Sequence, residues 1–278
     1  MFELTALNFT ALLAFGVFIG LLGSALGVGG GIFMVPFLVL ALGLPIHQAV
    51  AASLAAIVAT SSAVAAVNVE RGLANIRLGI TLEVTTAVGS IAGALVAHKL
   101  PGGLLQLLFA LMLFPVSVLM FLKGRKAAVH AALPAGGSKT AFDSAFFDPA
   151  AGAHTPYAVK NMAPASVVSF FAGSLSGLLG IGGGIVQVPV MNLLCGVPMK
   201  AAAATSNFII GVSAAASAYV YFRKGLVPLE LTAVIVAGVL GGSFLGIYVL
   251  YKVKSEKLQL VFSALTLVVA VKMLMRSF

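Results

Sequence analysis

Long apolar segments, separated by short breaks rich in glycine, proline or charge, run through almost the whole chain. They cover residues 6–26, 32–43, 47–68, 78–98 and 103–122 in its first part, and 162–179, 185–196, 199–222, 229–250 and 256–275 in its last part. Four of the five in each part can cross a bilayer, which takes about 20 apolar residues. The second of each part has about a dozen, which predicts a short or tilted helix or a re-entrant half-helix. The pattern predicts an all-α integral membrane protein with about 8–10 membrane segments.

The composition agrees with a lipid environment. Of the 278 residues, 61% are hydrophobic and 8% are charged, whereas a soluble domain carries about 25% charged residues. This excludes a soluble globular enzyme and a protein that binds nucleic acid. The single cysteine, Cys195, can form neither a disulfide framework nor a thiolate metal cluster within one chain.

The distribution of basic residues predicts the orientation of the ends. No Lys or Arg precedes Arg71, so we expect the amino terminus outside, and Glu3 ahead of the first apolar run is unlike a secretory signal. The polar region between the two parts carries Lys126, Lys139 and Lys160, and we therefore expect it in the cytoplasm.

Two glycine-rich runs reveal an internal repeat. Residues 27–36 read GVGGGIFMVP and residues 180–189 read GIGGGIVQVP, so the two runs lie 153 positions apart. The same offset pairs Pro45 with Pro198, Ser53 with Ser206, Gly93 with Gly246 and Lys99 with Lys252. We interpret the chain as a tandem duplication with a first transmembrane repeat in residues 1–125, a cytoplasmic connector in residues 126–162 and a second transmembrane repeat in residues 163–278.

The relative orientation of the two repeats depends on the short second segment. If that segment crosses, the repeats are inverted relative to each other, and if it does not, they are parallel. Counting Lys and Arg in the loops gives a tie between the two arrangements. Only an outside amino terminus breaks the tie, and for this reason we favour inverted repeats.

The glycine runs predict broken helices near the membrane midplane. Inside a helix glycine costs about 1 kcal/mol relative to alanine and proline about 3 kcal/mol. Such a break leaves free N–H groups at the positive end of the next helix, where an anion can bind. Packing is the alternative reading for glycines, and we prefer it for the pairs Gly89/Gly93 and Gly242/Gly246. The candidate substrate-binding glycines are Gly29, Gly30 and Gly31 in the first break and Gly182, Gly183 and Gly184 in the second.

The doubled glycine break with its following proline, the prolines Pro45 and Pro198, and the run Thr205-Ser206-Asn207-Phe208 resemble the TauE/SafE family of sulfite and organosulfonate exporters. This resemblance implies transport of a small sulfur-containing or carboxylated anion across the cytoplasmic (inner) membrane of a bacterium, commonly as export. Repeat one departs from the pattern, since it reads Ala52-Ser53-Leu54. Contacts made by the Thr and Asn side chains are therefore expected from one repeat only.

Neutral polar residues inside the apolar segments are further candidates for substrate binding, because they offer donors to a sulfonate or sulfite without a buried cation. Hydrogen bonding between helices is the alternative for the hydroxyl groups. These candidates are Ser53, Gln187, Thr205, Ser206 and Asn207.

Glu83 is the one acid well inside a predicted span, which makes it a candidate for proton coupling. It follows Arg77 by six residues, so snorkelling toward the interface is an equal alternative. The four histidines have no metal-binding spacing, and we expect no metal, no cofactor and no catalytic residue.

We therefore predict a secondary transporter that binds a small anion between the two glycine breaks and works by alternating access. An anion channel is the first alternative, and an intramembrane enzyme, which needs a convergent serine and histidine, is the second. The expected partners are the small anionic substrate and membrane lipid, with no nucleic acid, and the sequence leaves a homo-oligomer open.

Overall fold

The computed structural model describes residues 6–124, 140–148 and 152–253, together with residues 257, 260, 261, 263, 264, 267, 268 and 271. The first apolar segments form α1 (Ala6–Leu26), α2 (Gly31–Leu40), α3 (Ile46–Glu70), α4 (Ile76–Ala97) and α5 (Gly102–Gly124). After a two-stranded hairpin follow α6 (Met162–Leu179), α7 (Gly184–Pro189) with a π-helical turn (Val190–Leu194), α8 (Met199–Arg223) and α9 (Leu229–Lys252).

Six helices of the described part, namely α1, α3, α4, α6, α8 and α9, are long and apolar enough to cross a membrane by length and composition. The predicted bounds of the segments are confirmed within a few residues, while the last predicted segment, 256–275, lies mostly outside the described residues. Large apolar side chains cover the outer faces of the helices, for example Val84 and Val88 on α4 and Leu245 on α9. Such an apolar surface is unfavourable in water and favourable in lipid. The chain is therefore a multi-pass membrane protein.

The short helix α2 folds back along α1. The rings of Phe15 and Phe37 stack with centroids 3.4 Å apart, and a Cβ placed on Gly30 would lie 2.5 Å from the side chain of Ile19. Residues 30 and 37 thus lie beside positions 19 and 15, so α2 runs in the direction opposite to α1. The prediction of a short second helix is confirmed, and its re-entrant course in the membrane stays a prediction.

Glycines bring two pairs of helices into backbone contact. A side chain on Gly89 or Gly93 of α4 would collide with the backbone of Phe170 and Ser174 of α6. In the same way Gly242 of α9 lies directly against α1. The packing role predicted for these glycines is confirmed, and close backbone approach of this kind is typical of membrane helices.

The helices α3 and α8 form the centre and run in opposite directions. On one face Lys200, in the first turn of α8, donates to the Tyr251 carbonyl over 3.3 Å, and Arg71, just after α3, lies 4.5 Å from the centroid of the Tyr251 ring. On the other face Lys224, which follows α8, shares a pocket with His47 of the first turn of α3. The start of each central helix therefore lies at the same face as the end of the other.

The connector corrects the expectation of an all-α fold. Its described part forms an antiparallel hairpin of β1 (Ser144–Asp148) and β2 (Ala153–Tyr157), in which Phe146 pairs with Thr155. The hairpin is stable because it docks on the start of α4, where Asn75 donates to the Phe142 carbonyl over 2.8 Å. Phe146 and Tyr157 are buried as a result.

The base of the hairpin is held by Asp143. Its carboxylate accepts hydrogen bonds from the side chain and backbone of Thr140 and from the backbone N–H of Val159. These bonds, above all the one from the Thr140 hydroxyl, lower the pKa of Asp143. Charge on the carboxylate thus favours the docked hairpin.

Candidate functional site

Both glycine breaks adopt the same left-handed backbone. In the first break Gly27, Gly29 and Gly30 have φ of 72°, 74° and 85°, and in the second Gly180, Gly182 and Gly183 have φ of 70°, 74° and 72°. Residues with a Cβ rarely adopt this region, and glycine does so without strain. The sequence therefore folds into two equivalent tight turns, each of which ends a long apolar helix and starts a short one.

The two breaks lie directly against each other. A Cβ on Gly31 would lie 2.5 Å from the Gly180 carbonyl oxygen, and a Cβ on Gly184 would lie 2.5 Å from the Gly27 carbonyl oxygen. Gly29 and Gly182 both border Ile57, in the middle of α3. The breaks thus meet halfway along the central helix α3.

Two serines tie the breaks to the opposite central helices in a reciprocal manner. Ser53 of α3 donates to the Gly180 carbonyl over 2.6 Å, and Ser206 of α8 donates to the Gly27 carbonyl over 2.8 Å. Both hydroxyl protons are used in this way, so in this conformation the two serines hold the breaks rather than offering a free donor. Their proposed contact with a substrate stays a prediction.

Free backbone donors begin each short helix. The N–H groups in the first turn of a helix have no hydrogen-bond acceptor within that helix. For Gly31 and Ile32 of α2, and for Gly184 and Ile185 of α7, no acceptor is found within the described part of the chain. The positive ends of two helix dipoles thus point into one buried region, which suits an anion.

Asn207 lies on α8 one residue after Ser206 and is fully buried. Its Nδ2 donates to the Ser24 carbonyl over 3.1 Å, while its Oδ1 has no partner among the residues described. The amide cannot be reversed without placing two acceptor oxygens together, so the unpaired atom is an acceptor. A ligand that carries a hydrogen-bond donor would satisfy it.

Thr205 and Gln187 have other partners. The Thr205 hydroxyl accepts from the backbone N–H of Asn75 over 2.9 Å and so connects α8 to the start of α4. Gln187 of α7 donates to Thr86 over 2.7 Å and accepts from Ser169 over 3.2 Å. These two residues bridge helices, and their predicted contact with substrate is untested.

Glu83 is buried on α4, with 8% of its surface exposed. Neither carboxyl oxygen has a hydrogen-bond partner among the described residues, and Arg77 instead donates to the Ala141 carbonyl. Snorkelling therefore does not describe this side chain. Its helical neighbours Gly79 and Thr86 contact Phe208 of α8 and Gln187 of α7, so this face of α4 borders the break region.

The sequence reasoning missed three buried polar residues. Ser61 and Asn68 on α3 and Ser176 on α6 have side-chain atoms with no partner within the described ranges. Ser61 faces Gly211, one turn beyond Asn207, and Ser176 borders Gly183. Polar residues inside long apolar spans were the available signal. Together with Asn207, Ser61 and Ser176 form a set of unpaired polar groups around the breaks and between α3 and α8.

Metal ligands do not cluster anywhere in the described residues. The polar groups described at the site are amide, hydroxyl and backbone groups and the Glu83 carboxyl group.

The comparisons with known proteins agree with one another. The sequence profile described as "Sulfite exporter TauE/SafE" matches residues 12–273. A probable membrane transporter protein of Bacillus subtilis, YunE, is 27% identical over 263 residues, covering 92% of this chain and 93% of that protein. A probable membrane transporter protein of Xylella fastidiosa is 26% identical over 264 residues, covering 93% of each.

A sulfite exporter TauE/SafE family protein of Arabidopsis thaliana is 41% identical over 64 residues, which cover 23% of this chain and 15% of that protein. No solved structure matches the chain. Because the family profile spans both glycine breaks and nearly all of the sequence, this protein belongs to the sulfite exporter TauE/SafE family.

Proposed function

We propose that the protein is a secondary transporter that moves a small sulfur-containing anion, such as sulfite or a sulfonate, across the cytoplasmic membrane. The direction is export, and the mechanism is alternating access. The membrane potential of a negative-inside cell favours anion exit by about 2.3 kcal/mol per charge per 100 mV.

The observation that carries this proposal is the reciprocal contact of the two breaks. Each break supplies unpaired N–H groups at a helix start, and each is held by a serine of the opposite central helix, Ser53 or Ser206. Donors fixed in this way bind an anion without a buried cation, so that release stays possible. The substrate site of the proposal comprises both breaks and Asn207.

We also propose that the chain is an inverted duplication. The bounds of α3 and α8 differ by 153 positions at both ends, as do the starts of α2 and α7. The antiparallel course of α3 and α8 supports inversion. The rule stated from the sequence counted α1 as a crossing. In this proposal α1 ends at the break and the re-entrant α2 returns the chain to the side on which α1 begins, so only α3, α4 and α5 cross and the repeats are inverted although α2 does not cross. Many secondary transporters combine inverted repeats with broken helices at the substrate site.

In this proposal Glu83 couples proton movement to transport. An unpaired carboxylate at membrane depth is costly, and Glu83 lies on the face of α4 that borders the break region. Whether Glu83 takes up a proton would therefore depend on how α7 and α8 are arranged beside it.

The test is transport by the purified protein in liposomes loaded with sulfite, with thiosulfate, taurine and isethionate as competitors. We expect saturable efflux that a membrane potential accelerates. In liposomes loaded with taurine, whose ammonium group can donate to Asn207 Oδ1, Asn207→Ala should weaken efflux by about 2- to 10-fold, the effect of one hydrogen bond of about 0.5–1.5 kcal/mol. The control is Ser62→Ala, which removes a polar group from an exposed position of α3 and should transport normally.

Three outcomes would speak against parts of the proposal. Absence of flux for every anion would exclude this class of cargo. Fast flux that does not saturate would favour an anion channel. Normal taurine efflux by Asn207→Ala, with an unchanged KM for taurine, would remove Asn207 from the site.

A further inference from the structure

A cavity of about 340 Å³ lies where the start of α3, the end of α4 and the end of α8 meet. Its lining residues are Pro45, His47, Gln48, His98, Lys224 and Leu226. It lies far from the hairpin, because the hairpin docks at the start of α4 and the cavity lies at its end, about 33 Å away for 22 helical residues. The cavity thus belongs to the face opposite the connector.

The lining is rich in hydrogen-bond donors and contains no acid. Lys224 Nζ lies 3.3 Å from His98 Nε2. Since an ammonium group only donates, this His98 nitrogen accepts, and Lys224 keeps two further N–H donors. No carboxylate of the described residues pairs with Lys224. His47 Nε2 lies 3.2 Å from the Ala97 carbonyl oxygen and donates to it.

The backbone adds to this positive character. α3 is 25 residues long and begins at the cavity after Pro45, without a side-chain cap. Gln48 and Ala49 donate to the Pro45 carbonyl, which leaves the first-turn N–H groups of Ile46 and His47 without an acceptor among the described residues. A long helix start, an ammonium group that no carboxylate of the described residues neutralises, and an amide side chain therefore converge on one cavity.

The corresponding place on the connector face is built differently. Counted 153 positions apart, His47, His98 and Lys224 correspond to Lys200, Tyr251 and Arg71. There the Arg71 guanidinium stacks on the Tyr251 ring and the Lys200 side chain is fully buried. The two faces thus differ at these positions, with an imidazole at residue 98 where the other face has the Tyr251 ring.

We propose that this cavity binds a small oxyanion at the face opposite the connector, with Lys224 and the start of α3 as its main contacts. Its volume is at the lower end for small-molecule sites, which run from about 300 to 1,000 Å³. This fits a sulfate-sized ion with some water and not a large cofactor. The site goes beyond the proposed function, because it does not depend on anion binding at the glycine breaks.

The test uses inorganic sulfate as the probe. The melting temperature of the purified full chain in lipid nanodiscs is followed as sulfate replaces chloride at constant ionic strength, which gives an apparent dissociation constant. Lys224→Gln should weaken sulfate binding about tenfold or more, the effect of losing a charge-assisted hydrogen bond. The matched control is Arg223→Gln, which removes the same charge from the preceding exposed residue and should stay within about twofold of the unsubstituted protein.

Equal sulfate affinities for the Lys224→Gln, Arg223→Gln and unsubstituted proteins would overturn the proposal, as would equal stabilisation by sulfate and chloride. A second readout is the protection of His47 and His98 by sulfate against carbethoxylation, with exposed His154 of the hairpin as internal reference. Asn207→Ala separates the two sites. The Asn207→Ala variant should keep the sulfate response that depends on Lys224 even where transport is lost. Failure of the proposed oxyanion site therefore does not refute the proposed transport function, and the reverse also holds.

Discussion

The contact between the two glycine breaks can be tested by adding one methyl group. Gly184 is the first residue of α7, and its φ lies outside the left-handed region, so alanine can adopt its backbone conformation. A Cβ there would lie 2.5 Å from the Gly27 carbonyl oxygen and 2.8 Å from the Cα of Val28. Both are backbone atoms of the other break, and they can give way only if the two breaks separate.

The expected magnitude follows from two opposing terms. Overpacking of a tight contact costs about 1–3 kcal/mol, whereas alanine gains at most about 1 kcal/mol over glycine in a helix. We therefore expect Gly184→Ala to destabilise the protein by up to about 3 kcal/mol, or several °C in melting temperature. Gly241→Ala is the matched control, since Gly241 lies in α9 and a Cβ there meets nothing within 4 Å. This variant should melt at or slightly above the temperature of the unsubstituted protein.

The assay measures melting temperature and sulfite efflux for both variants in the same lipid. We expect Gly184→Ala to lower both and Gly241→Ala to lower neither. If Gly184→Ala melts like Gly241→Ala and transports normally, then the two breaks do not touch as described, and the reasoning from their contact is refuted.

Three further predictions concern Asn207, Glu83 and Asp143. Because the unpaired atom of Asn207 is an acceptor, a competitor with a hydrogen-bond donor, such as taurine, should inhibit sulfite efflux better than methanesulfonate. Asn207→Ala should remove this difference between the two competitors. Equal inhibition by both in the unsubstituted protein would contradict the prediction. Glu83→Gln keeps the shape of the side chain but cannot exchange a proton. Sulfite efflux should therefore lose its dependence on a pH gradient, while the melting temperature stays normal. A retained dependence would exclude Glu83 from proton coupling. The pKa of Asp143 is lower in the folded protein than the ordinary Asp pKa of about 4. The Asp143 carboxylate therefore contributes fully to stability above about pH 4, and this contribution is lost as the pH falls through the folded-state pKa. Hydrogen exchange in residues 144–157 should therefore be protected at neutral pH and faster in acid, and Asp143→Asn should show weak protection at both; protection that survives acid would disprove this role.

The helix bounds could be predicted because lipid imposes a simple rule on composition. Apolar residues fill each span, and breaks such as that after Pro45 carry glycine, proline or charge. The hairpin could not be predicted in the same way, since its strands are only five residues long and one contains Pro156. Its stability comes from docking on Asn75, a contact between distant parts of the chain.

The two glycine breaks could be predicted from the sequence, but the contacts around them could not. The doubled glycine run indicated two equivalent breaks, and the structure has them in contact. Which way a hydroxyl group points depends on its neighbours in space, and for Ser53 and Ser206 these neighbours are carbonyls of the opposite break. The position of the unpaired Ser61 hydroxyl beside Gly211 likewise becomes visible only when α3 is placed beside α8.

The packing of the helices restricts which parts can move during transport. The backbone contacts through glycine join α1 to α9 and α4 to α6, so each pair combines one helix from each half of the chain. Motion of one half against the other would disrupt both contacts. We therefore infer that the moving bodies are these mixed pairs, and that α3 and α8 shift between them.

A cross-link between the central helices tests this inference. Ser61 Cβ lies 3.3 Å from an ideal Cβ on Gly211, close to the 3.5–4.5 Å that a disulfide spans. The variant combines Ser61→Cys with Gly211→Cys in a Cys195→Ser background, which removes the single native thiol. Oxidation should stop sulfite efflux, because the disulfide prevents α3 and α8 from separating at this level. A reductant should restore efflux. Efflux at the same rate in the oxidised and reduced protein would show that the two helices keep this contact throughout the cycle.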